Sequence, residues 1–487
     1  MPSALDLAGK TSLVVTSARG LAGTFEGQGV EDVLSRLRDI VRLRREGGVR
    51  ALLYVPDRKD TSAGLPHLEA PITARALQAA IGEIEKSLHG GRPFTYVFLV
   101  GNSRVLPSWR LDNPAADSDQ DFPSDAPYAV SNEVDGSDAC LVPERGVGRL
   151  PLDGEKHAGR NLLSCLEDLA ASGAAKATGG SFGLAAAVWR AQAAKVYGLV
   201  QDGGLKLSPP LDLESFGGDW LGPRSILYFN VHGSKDERYW YGQMGLVYPR
   251  VLSPEIVARS NPAGSLVLSE ACYGGLIEDK RPETSIALQF MSRGVDALVG
   301  ASAIAYGSPD ERLSEADLLA YLFLKRILAG EAYGDALRES KIDFAAEMLR
   351  RQGYLDGDDR KTLVEFNLFG DPVLSLTGGA GGRGLGQMIS DEIVDCVKRI
   401  AASRFPEMDG VEPELAEEKT ALDGGLAQKV LKQRPAPAQK GGGLVIERRV
   451  FVASFKRHVV AGDRSVERIV RITFDERGEI LKIVTSK

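Results

Sequence analysis

Two short apolar runs, each ending in a reactive side chain, most constrain the fold of this chain. The first is Ser225–Ser234, which reads SILYFNVHGS, and the second is Ser265–Gly275, which reads SLVLSEACYGG. Apolar, partly β-branched runs that end at turn signals are typical of buried strands. In a parallel α/β sheet, reactive groups collect beyond the carboxyl ends of the strands. The sequence therefore predicts that His232 and Cys272 lie together at one edge of a sheet.

A cysteine and a histidine in this arrangement indicate nucleophilic catalysis. A free thiol has a pKa near ~8.5, so it forms little thiolate at neutral pH without help. An imidazole in hydrogen-bond reach supplies that help and can then protonate the leaving amine. A tetrahedral intermediate also needs preorganised N–H donors for its oxyanion, and the amides of Gly233 and Cys272 are the natural candidates.

A structural interpretation of the pair competes with the catalytic one. A single cysteine is most often a small buried hydrophobe, and a histidine before glycine is most often a turn residue. The same residue pairs occur elsewhere in the chain without a preceding apolar strand: His89-Gly90 closes a predicted helix, and Ala139-Cys140 follows a polar segment. Cys165 and Cys396 fall inside helical patterns. His232 and Cys272 alone follow apolar strands and precede glycine-containing turns, which favours catalysis.

Composition and charge exclude several classes of protein. The 487 residues suffice for roughly three domains, and the 43% hydrophobic content supports a large core. A net charge of −7 argues against a nucleic-acid-binding surface over the whole molecule. The four cysteines show neither a disulfide framework nor metal spacing, so we predict no cofactor and no metal. With no signal-peptide pattern and no bilayer-spanning apolar run, we expect a cytoplasmic protein that binds no membrane.

Three domains are predicted along the chain. Residues 1–160 alternate strands with helices and include a long polar loop region, and they form an N-terminal α/β subdomain. Residues 161–376 contain both reactive strands and are predicted to form the catalytic subdomain. Residues 377–487 comprise a glycine-rich linker, an amphipathic helix at 385–404 and a small antiparallel β module at 444–487.

The order strand–His-Gly, then strand–Ala-Cys-x-Gly, resembles the caspase-like clan of cysteine peptidases, and within it the gingipain-like peptidases. Further stretches resemble gingipain segments in the same order along the chain, namely Tyr96–Asn102, Ser124–Tyr128, Val147–Pro151, Gly300–Ser302 and Phe369–Pro372. The similar region covers roughly residues 70–376. The resemblance implies a caspase-like, mostly parallel sheet sandwiched by helices, preceded by a smaller α/β subdomain. It also implies endopeptidase activity on proteins or peptides.

Specificity is where the chain departs from the gingipain pattern. Gingipains carry an arginine-binding aspartate after the strand that precedes the histidine strand, whereas residues 181–201 here contain no Asp or Glu. Glu270 could replace it, because residues i and i+2 share one face of a strand and Glu270 would point into the cleft beside Cys272. In metacaspases and legumains the acidic residue at this place lines the primary specificity pocket. The alternative is that Glu270 pairs with a local Arg or Lys.

Aromatic residues could complete the cleft. Trp240 follows the histidine turn, and Tyr306 lies in the loop where gingipains carry an aromatic wall. The leading hypothesis is a cytoplasmic cysteine endopeptidase with a His232/Cys272 dyad that cleaves after Arg or Lys. A regulatory protein could dock on the C-terminal module. The alternatives are a non-proteolytic caspase-like binding or scaffold module and a thiol amidase acting on small molecules.

Overall fold

The computed structural model describes residues 9–26, 28–59, 64–155, 159–170, 179–200, 204–308, 312–376, 391–418, 450–461, 464–475 and 480–485. The chain divides into two compact units. One comprises Ser3–Gly381, and the other comprises Gly382–Lys487 with Met1–Pro2. The predicted glycine-rich linker lies outside the described residues. The predicted boundary at residue 160 stays a prediction.

The described strands are, in chain order, β1 (Thr11–Val15), β2 (Arg50–Tyr54), β3 (Tyr96–Val100), β4 (Trp109–Asp112), β5 (Asp121–Ser124), β6 (Gly146–Leu150), β7 (Gly179–Ala186), β8 (Lys206–Ser208), β9 (Arg224–Asn230), β10 (Trp240–Tyr241), β11 (Arg250–Leu252), β12 (Leu266–Ser269), β13 (Ala297–Ala301), β14 (Phe366–Gly370), β15 (Glu414–Glu418), β16 (Val450–Ala461), β17 (Arg464–Asp475) and β18 (Ile480–Thr485).

The described α-helices are α1 (Ala18–Ala22), α2 (Gly29–Glu46), α3 (Ala74–Leu88), α4 (Leu162–Ala170), α5 (Arg190–Tyr197), α6 (Pro254–Arg259), α7 (Ile286–Ser292), α8 (Glu315–Leu328), α9 (Tyr333–Gln352), α10 (Gly357–Glu365) and α11 (Asp391–Arg404). Several begin at a local capping signal. Ser253 and Ser285 accept a backbone N–H at the starts of α6 and α7, and Asp356 forms a capping box with Asp359 at the start of α10.

The larger unit is built on one ten-stranded sheet in the order β2-β1-β3-β6-β14-β13-β12-β9-β7-β8. Strands within each half of the sheet are parallel, and the halves meet at the antiparallel pair β13–β14. The second half therefore runs opposite to the first. The prediction of a mostly parallel sheet sandwiched by helices is confirmed.

Apolar side chains alternate between the two faces of this sheet. On β9, the ring of Tyr228 stacks on Tyr197 of α5, with centroids 5.9 Å apart, whereas its neighbour Phe229 contacts Phe290 of α7 at 5.8 Å. This alternation follows from the two-residue period of a strand. It assigns the even-numbered residues at the end of β9 to the face covered by α5, which matters for the orientation of His232.

The C-terminal unit has its own hydrophobic core. Strands β15 to β18 form a four-stranded antiparallel sheet in sequence order. Strands β16 to β18 fall in the β module predicted at 444–487, whereas β15 comes from the segment before it. Phe451, Phe455 and Phe474 are buried together with Val397 of α11. The helix begins at residue 391 in the described chain and ends at Arg404, as predicted.

None of the described helices is both long enough and apolar enough to cross a lipid bilayer.

Candidate active site at the edge of β9 and β12

Parallel pairing of β9 with β12 brings His232 and Cys272 to the same edge of the sheet. Phe229 pairs with Ser269, and the amide of Glu270 donates to the Phe229 carbonyl at 2.9 Å. His232 and Cys272 are each three residues beyond that register pair. A methyl group built on Gly233 would lie 2.0 Å from the carbonyl oxygen of Cys272, so the two loops touch at a point that only glycine permits.

The thiol of Cys272 is held by a backbone carbonyl. Its Sγ donates to the oxygen of Ala305 at 3.3 Å. Burial raises the pKa of the thiol to about 11, because a thiolate would be poorly solvated at this position. The sulfur is therefore protonated at neutral pH.

A side-chain amide orients the imidazole of His232. Its Nε2 lies 2.8 Å from Oε1 of Gln243, while the Gln243 amide nitrogen donates to the hydroxyl of Tyr248 at 2.7 Å and to the carbonyl of Gly245 at 3.1 Å. Since the amide nitrogen is used for those two bonds, Oε1 accepts and Nε2 carries the proton. Nδ1 is then free to accept a proton from the thiol. Burial lowers the pKa of His232, so the ring is neutral.

The two reactive side chains do not hydrogen-bond to each other in this structure. The thiol donates to Ala305 and the imidazole bonds to Gln243. Because the pKa of Cys272 is raised and that of His232 is lowered, the resting pair is a neutral thiol and a neutral imidazole. A direct bond between the Cys272 thiol and the His232 imidazole is therefore not part of this arrangement, and the role of the two side chains as a dyad stays a prediction.

The predicted oxyanion-hole amides are those of Gly233 and Cys272, two partly buried residues. Within the described ranges, the N–H groups of Gly233 and Cys272 donate no hydrogen bond to another residue. Free amides at an enzyme's reactive edge are the donors that a developing oxyanion needs. Their assignment as an oxyanion hole stays a prediction.

Trp189, not Trp240, is the tryptophan beside the histidine. The rings of Trp189 and His232 have centroids 4.3 Å apart, and the ring of Tyr248 lies 5.5 Å from the imidazole on another side. Trp240 is 4% exposed and packs edge-on against Phe229 in the core, with centroids 5.2 Å apart. The prediction that Trp240 forms a cleft wall is therefore wrong, because β10 directs it onto the α7 side of the sheet.

Glu270 lies in a buried group of polar side chains that includes a second acid. Its two carboxylate oxygens accept from the Tyr228 hydroxyl at 2.7 Å and from the Asn230 amide at 3.0 Å. The same amide donates to Oδ1 of Asp317 at 3.0 Å, and the amide of Ser308 donates to Oδ2 at 2.7 Å. Glu270 is 7% exposed and Asp317 is 2% exposed.

Among the described residues, no basic side chain bonds to this acid pair. In the part of the chain that the structure describes, neither Glu270 nor Asp317 bonds to a lysine or an arginine. The alternative that Glu270 pairs with a local Arg or Lys is therefore not what is found. Burial, and then the nearby Asp317, raise the pKa of Glu270 well above its usual value, and burial also raises the pKa of Asp317.

Tyr306 belongs to a different acidic cluster, which also bonds to Tyr273, the residue after Cys272. Its hydroxyl donates to Oδ2 of Asp117 at 2.7 Å, and its ring is partly exposed. The ammonium of Lys361 lies 2.6 Å from Asp117 and 2.8 Å from Asp119, and it is fully buried. Burial alone would raise the pKa of each aspartate, but the hydrogen bonds from Lys361 and other donors outweigh it and lower both pKa values. A role for Tyr306 in substrate binding stays a prediction.

Among the described residues, no group of three or more His, Cys, Asp and Glu side chains is arranged to hold a metal ion.

Comparisons with known proteins agree with this geometry. Residues 223–377 match the model of a family described as Peptidase family C25, a stretch that contains both His232 and Cys272. The predicted resemblance to gingipain-like cysteine peptidases is confirmed. The predicted class of enzyme, a cysteine peptidase and hence a hydrolase, is confirmed with it. No curated protein matches the chain in sequence.

Two solved structures share the fold. The crystal structure of gingipain R, an Arg-specific cysteine proteinase, has a TM-score of 0.53 at 13% identity and covers 100% of this chain and 99% of its own. A second structure, described as a protease, has a TM-score of 0.51 at 11% identity and covers 98% of this chain and 97% of its own. At such identities the likeness concerns the fold, and the predicted caspase-like α/β architecture is confirmed.

Proposed function

We propose that this cysteine peptidase is an endopeptidase with Cys272 as nucleophile and His232 as general base and acid, and that it cleaves after Arg or Lys. The observation that carries the proposal is the meeting of the two loops, where Gly233 lies against the Cys272 carbonyl. Protein substrates follow from the peptidase family.

The reaction needs only groups that line this edge of the sheet. Nδ1 of His232 takes the thiol proton as the sulfur attacks the scissile carbonyl carbon, and the carbonyl oxygen becomes an oxyanion facing the Gly233 and Cys272 amides. The imidazolium then gives the proton to the leaving amine as the C–N bond breaks. Water, deprotonated by the same imidazole, attacks the thioester and releases the carboxylate product and the free thiol.

The preference for a basic residue rests on the uncompensated acid pair. Two buried carboxyl groups cannot both ionise close together without a cation, so in the free protein a proton compensates one of them. An arginine or lysine side chain that reaches Glu270 and Asp317 would replace that proton by a cation with several N–H donors. A neutral side chain offers no such exchange, which is why basic residues are favoured before the cleaved bond.

Peptide cleavage tests the proposal directly. Fluorogenic peptides that differ only in Arg, Lys, Gln or Met before the scissile bond would be compared with the wild-type chain, Cys272→Ala and Cys396→Ala. The last is a matched control, because Cys396 is an exposed thiol in α11. We expect cleavage of the basic peptides by the wild type and the control only. Equal turnover by Cys272→Ala would end the proposal.

The same assay separates the alternative functions. A peptide-based thiol inhibitor that never labels Cys272 would favour a binding or scaffold module. Hydrolysis of small amides combined with failure on every longer peptide would favour a thiol amidase.

We also propose that the enzyme acts in the cytoplasm and that the C-terminal unit docks a regulatory protein. All four cysteines are free thiols in the structure, which suits a reducing compartment. The separate core around Phe451 and Phe474 supports an independent role for the C-terminal unit. Cell fractionation tests the first proposal, and finding the protein only outside the cytoplasm would contradict it. Cross-linking in cells from positions on β16 and β17 tests the second, and the absence of any protein adduct there would contradict it.

A further inference from the structure

A loop far from Cys272 in sequence bonds to two residues that lie close to the Cys272 thiol. This acidic loop comprises residues 113–120. The hydroxyl of Tyr273, the residue after Cys272, donates to Oδ1 of Asp119 at 2.7 Å. The amide of Ile304 donates to Oδ2 of the same carboxylate at 2.9 Å, and Ile304 precedes Ala305, whose carbonyl accepts from the thiol. The Asp119 carboxylate thus binds both Tyr273, which follows Cys272, and Ile304, which precedes the acceptor of the thiol hydrogen bond.

The backbone after the nucleophile is held in an unfavourable conformation. Tyr273 has a φ of 53°, which lies in the left-handed region that side chains other than glycine rarely adopt. Its amide donates to the carbonyl of Ala303 at 2.8 Å, and its hydroxyl is bound by Asp119. Strain of this kind persists only where surrounding bonds fix the geometry, and it concentrates at functional sites.

Lys361 gives the acidic loop its rigidity. Its ammonium bonds to both Asp117 and Asp119 and has no exposed surface. The hydroxyl of Tyr306 also donates to Asp117, which ties the loop after β13 to the same cluster a second time. A buried lysine with well-placed bonds to two carboxylates holds them in one geometry, because breaking any of these bonds leaves a buried charge.

From these contacts we propose that Asp119, held by Lys361, is a positioning residue for the nucleophile. It sets the place of the Cys272 sulfur between the carbonyl of Ala305 and the imidazole of His232. The inference rests on the proposed role of Cys272 as nucleophile and adds a residue that touches neither substrate nor sulfur. It predicts that loosening Asp119 changes how the sulfur reacts and leaves substrate binding nearly intact.

The test removes one hydroxyl group. Tyr273→Phe loses the bond to Asp119 and keeps the ring. Tyr54→Phe is the matched control, since the Tyr54 hydroxyl donates to the Pro66 carbonyl at 2.8 Å on the distant strand β2. Both variants of the full-length chain would be measured for kcat and KM on a basic peptide. The rate of alkylation of Cys272 by iodoacetamide would be followed by mass spectrometry.

For Tyr273→Phe we expect kcat to fall about five- to tenfold, the rate factor of one lost hydrogen bond, with KM changed less than about twofold. Alkylation should become about threefold faster, because the sulfur is less firmly held against the Ala305 carbonyl. Tyr54→Phe should behave as the wild type. If Tyr273→Phe keeps wild-type kcat and alkylation rate, the proposal is overturned.

A second variant distinguishes a positioning role of Asp119 from a general loss of folded protein. Asp119→Asn should move both rates in the same directions as Tyr273→Phe, and by more, while far-ultraviolet circular dichroism stays unchanged. If both rates fell in parallel with the folded fraction, Asp119 would be structural only. Alkylation needs no peptide cleavage, so a chain that cleaves nothing but shows faster alkylation in both variants would refute the endopeptidase and retain the positioning role.

Discussion

Two pairs of acidic side chains lie close to the segment around Cys272, and they differ in whether the protein supplies a cation to them. Asp117 and Asp119 share the ammonium of Lys361, and their pKa values are lowered. Glu270 and Asp317 have no basic partner among the described residues, and their pKa values are raised. In the first pair, the Lys361 ammonium neutralises the carboxylates, and the carboxylates hold other groups of the protein in place. The lack of a basic partner for the second pair among the described residues is the observation behind the proposed preference for a basic substrate residue.

Removal of the Lys361 ammonium should have the largest effect, and it should act on the free energy of unfolding. Lys361→Met leaves the buried Asp119 and the partly buried Asp117 without their ammonium partner, and we expect a loss of roughly 3–5 kcal/mol in the free energy of unfolding. Urea unfolding measures this loss. The control is Lys341→Met, because the Lys341 ammonium is also buried but donates to the carbonyl of Phe366 and to no carboxylate. Equal losses for both variants would contradict the distinction between the two acid pairs.

Neutralising the uncompensated pair should affect selectivity and not folding. Glu270→Gln keeps the shape of the side chain and removes its charge, so the variant should fold as the wild type does. The ratio of kcat/KM for Arg over Gln peptides should fall about 30- to 100-fold, the loss typical of one partner removed from a buried charge pair. Asp317→Asn should lower the same ratio. Unchanged ratios in both variants would show that basic side chains bind elsewhere.

The thiol of Cys272 should lose its proton only at high pH. Because burial raises the pKa of Cys272 to about 11, alkylation by iodoacetamide should keep rising with pH far above the usual range of a free cysteine. The rise should be steepest near pH 11 and should be absent from Cys272→Ala. A plateau reached below pH 7 would instead reveal a preformed thiolate–imidazolium pair and contradict the neutral resting state.

The smallest effect concerns stability and pH. A carboxyl whose pKa is raised in the folded state binds more protons than in the unfolded chain, so its contribution falls as pH rises above the unfolded pKa of about 4.5. Relative to wild type, Glu270→Gln should therefore gain stability between pH 4.5 and neutrality, by about 1.4 kcal/mol per unit of pKa shift. Unfolding curves at four pH values would measure the trend. A constant difference would indicate that Glu270 titrates normally.

The sequence predicted the parts of the site that depend on local pattern. Apolar runs ending in His-Gly and Ala-Cys are visible within ten residues, and parallel pairing then brings their ends together. Glu270 was singled out from the two-residue period of a strand, although β12 ends at Ser269, and its role in specificity stays a prediction.

The residues that were missed come from distant segments. Asp317 lies in the first turn of α8, where an acid is expected merely to favour the helix dipole. Gln243, Asp119 and Lys361 reach the site through loop paths and helix packing that no periodicity encodes. Trp240 was wrongly placed because the three consecutive aromatic residues Tyr239, Trp240 and Tyr241 do not reveal from sequence which of them faces the core.

The direction of β14 has a consequence for the order in which the site is completed. Because this strand is antiparallel to β13, its first residues and the end of α10 lie beside the nucleophile, although they follow it by about ninety positions. A growing polypeptide still attached to the ribosome carries both the sulfur and the imidazole well before Lys361 has been added. Until then the two aspartates have no counter-ion, and the reactive edge is finished only when synthesis of the larger unit is nearly over.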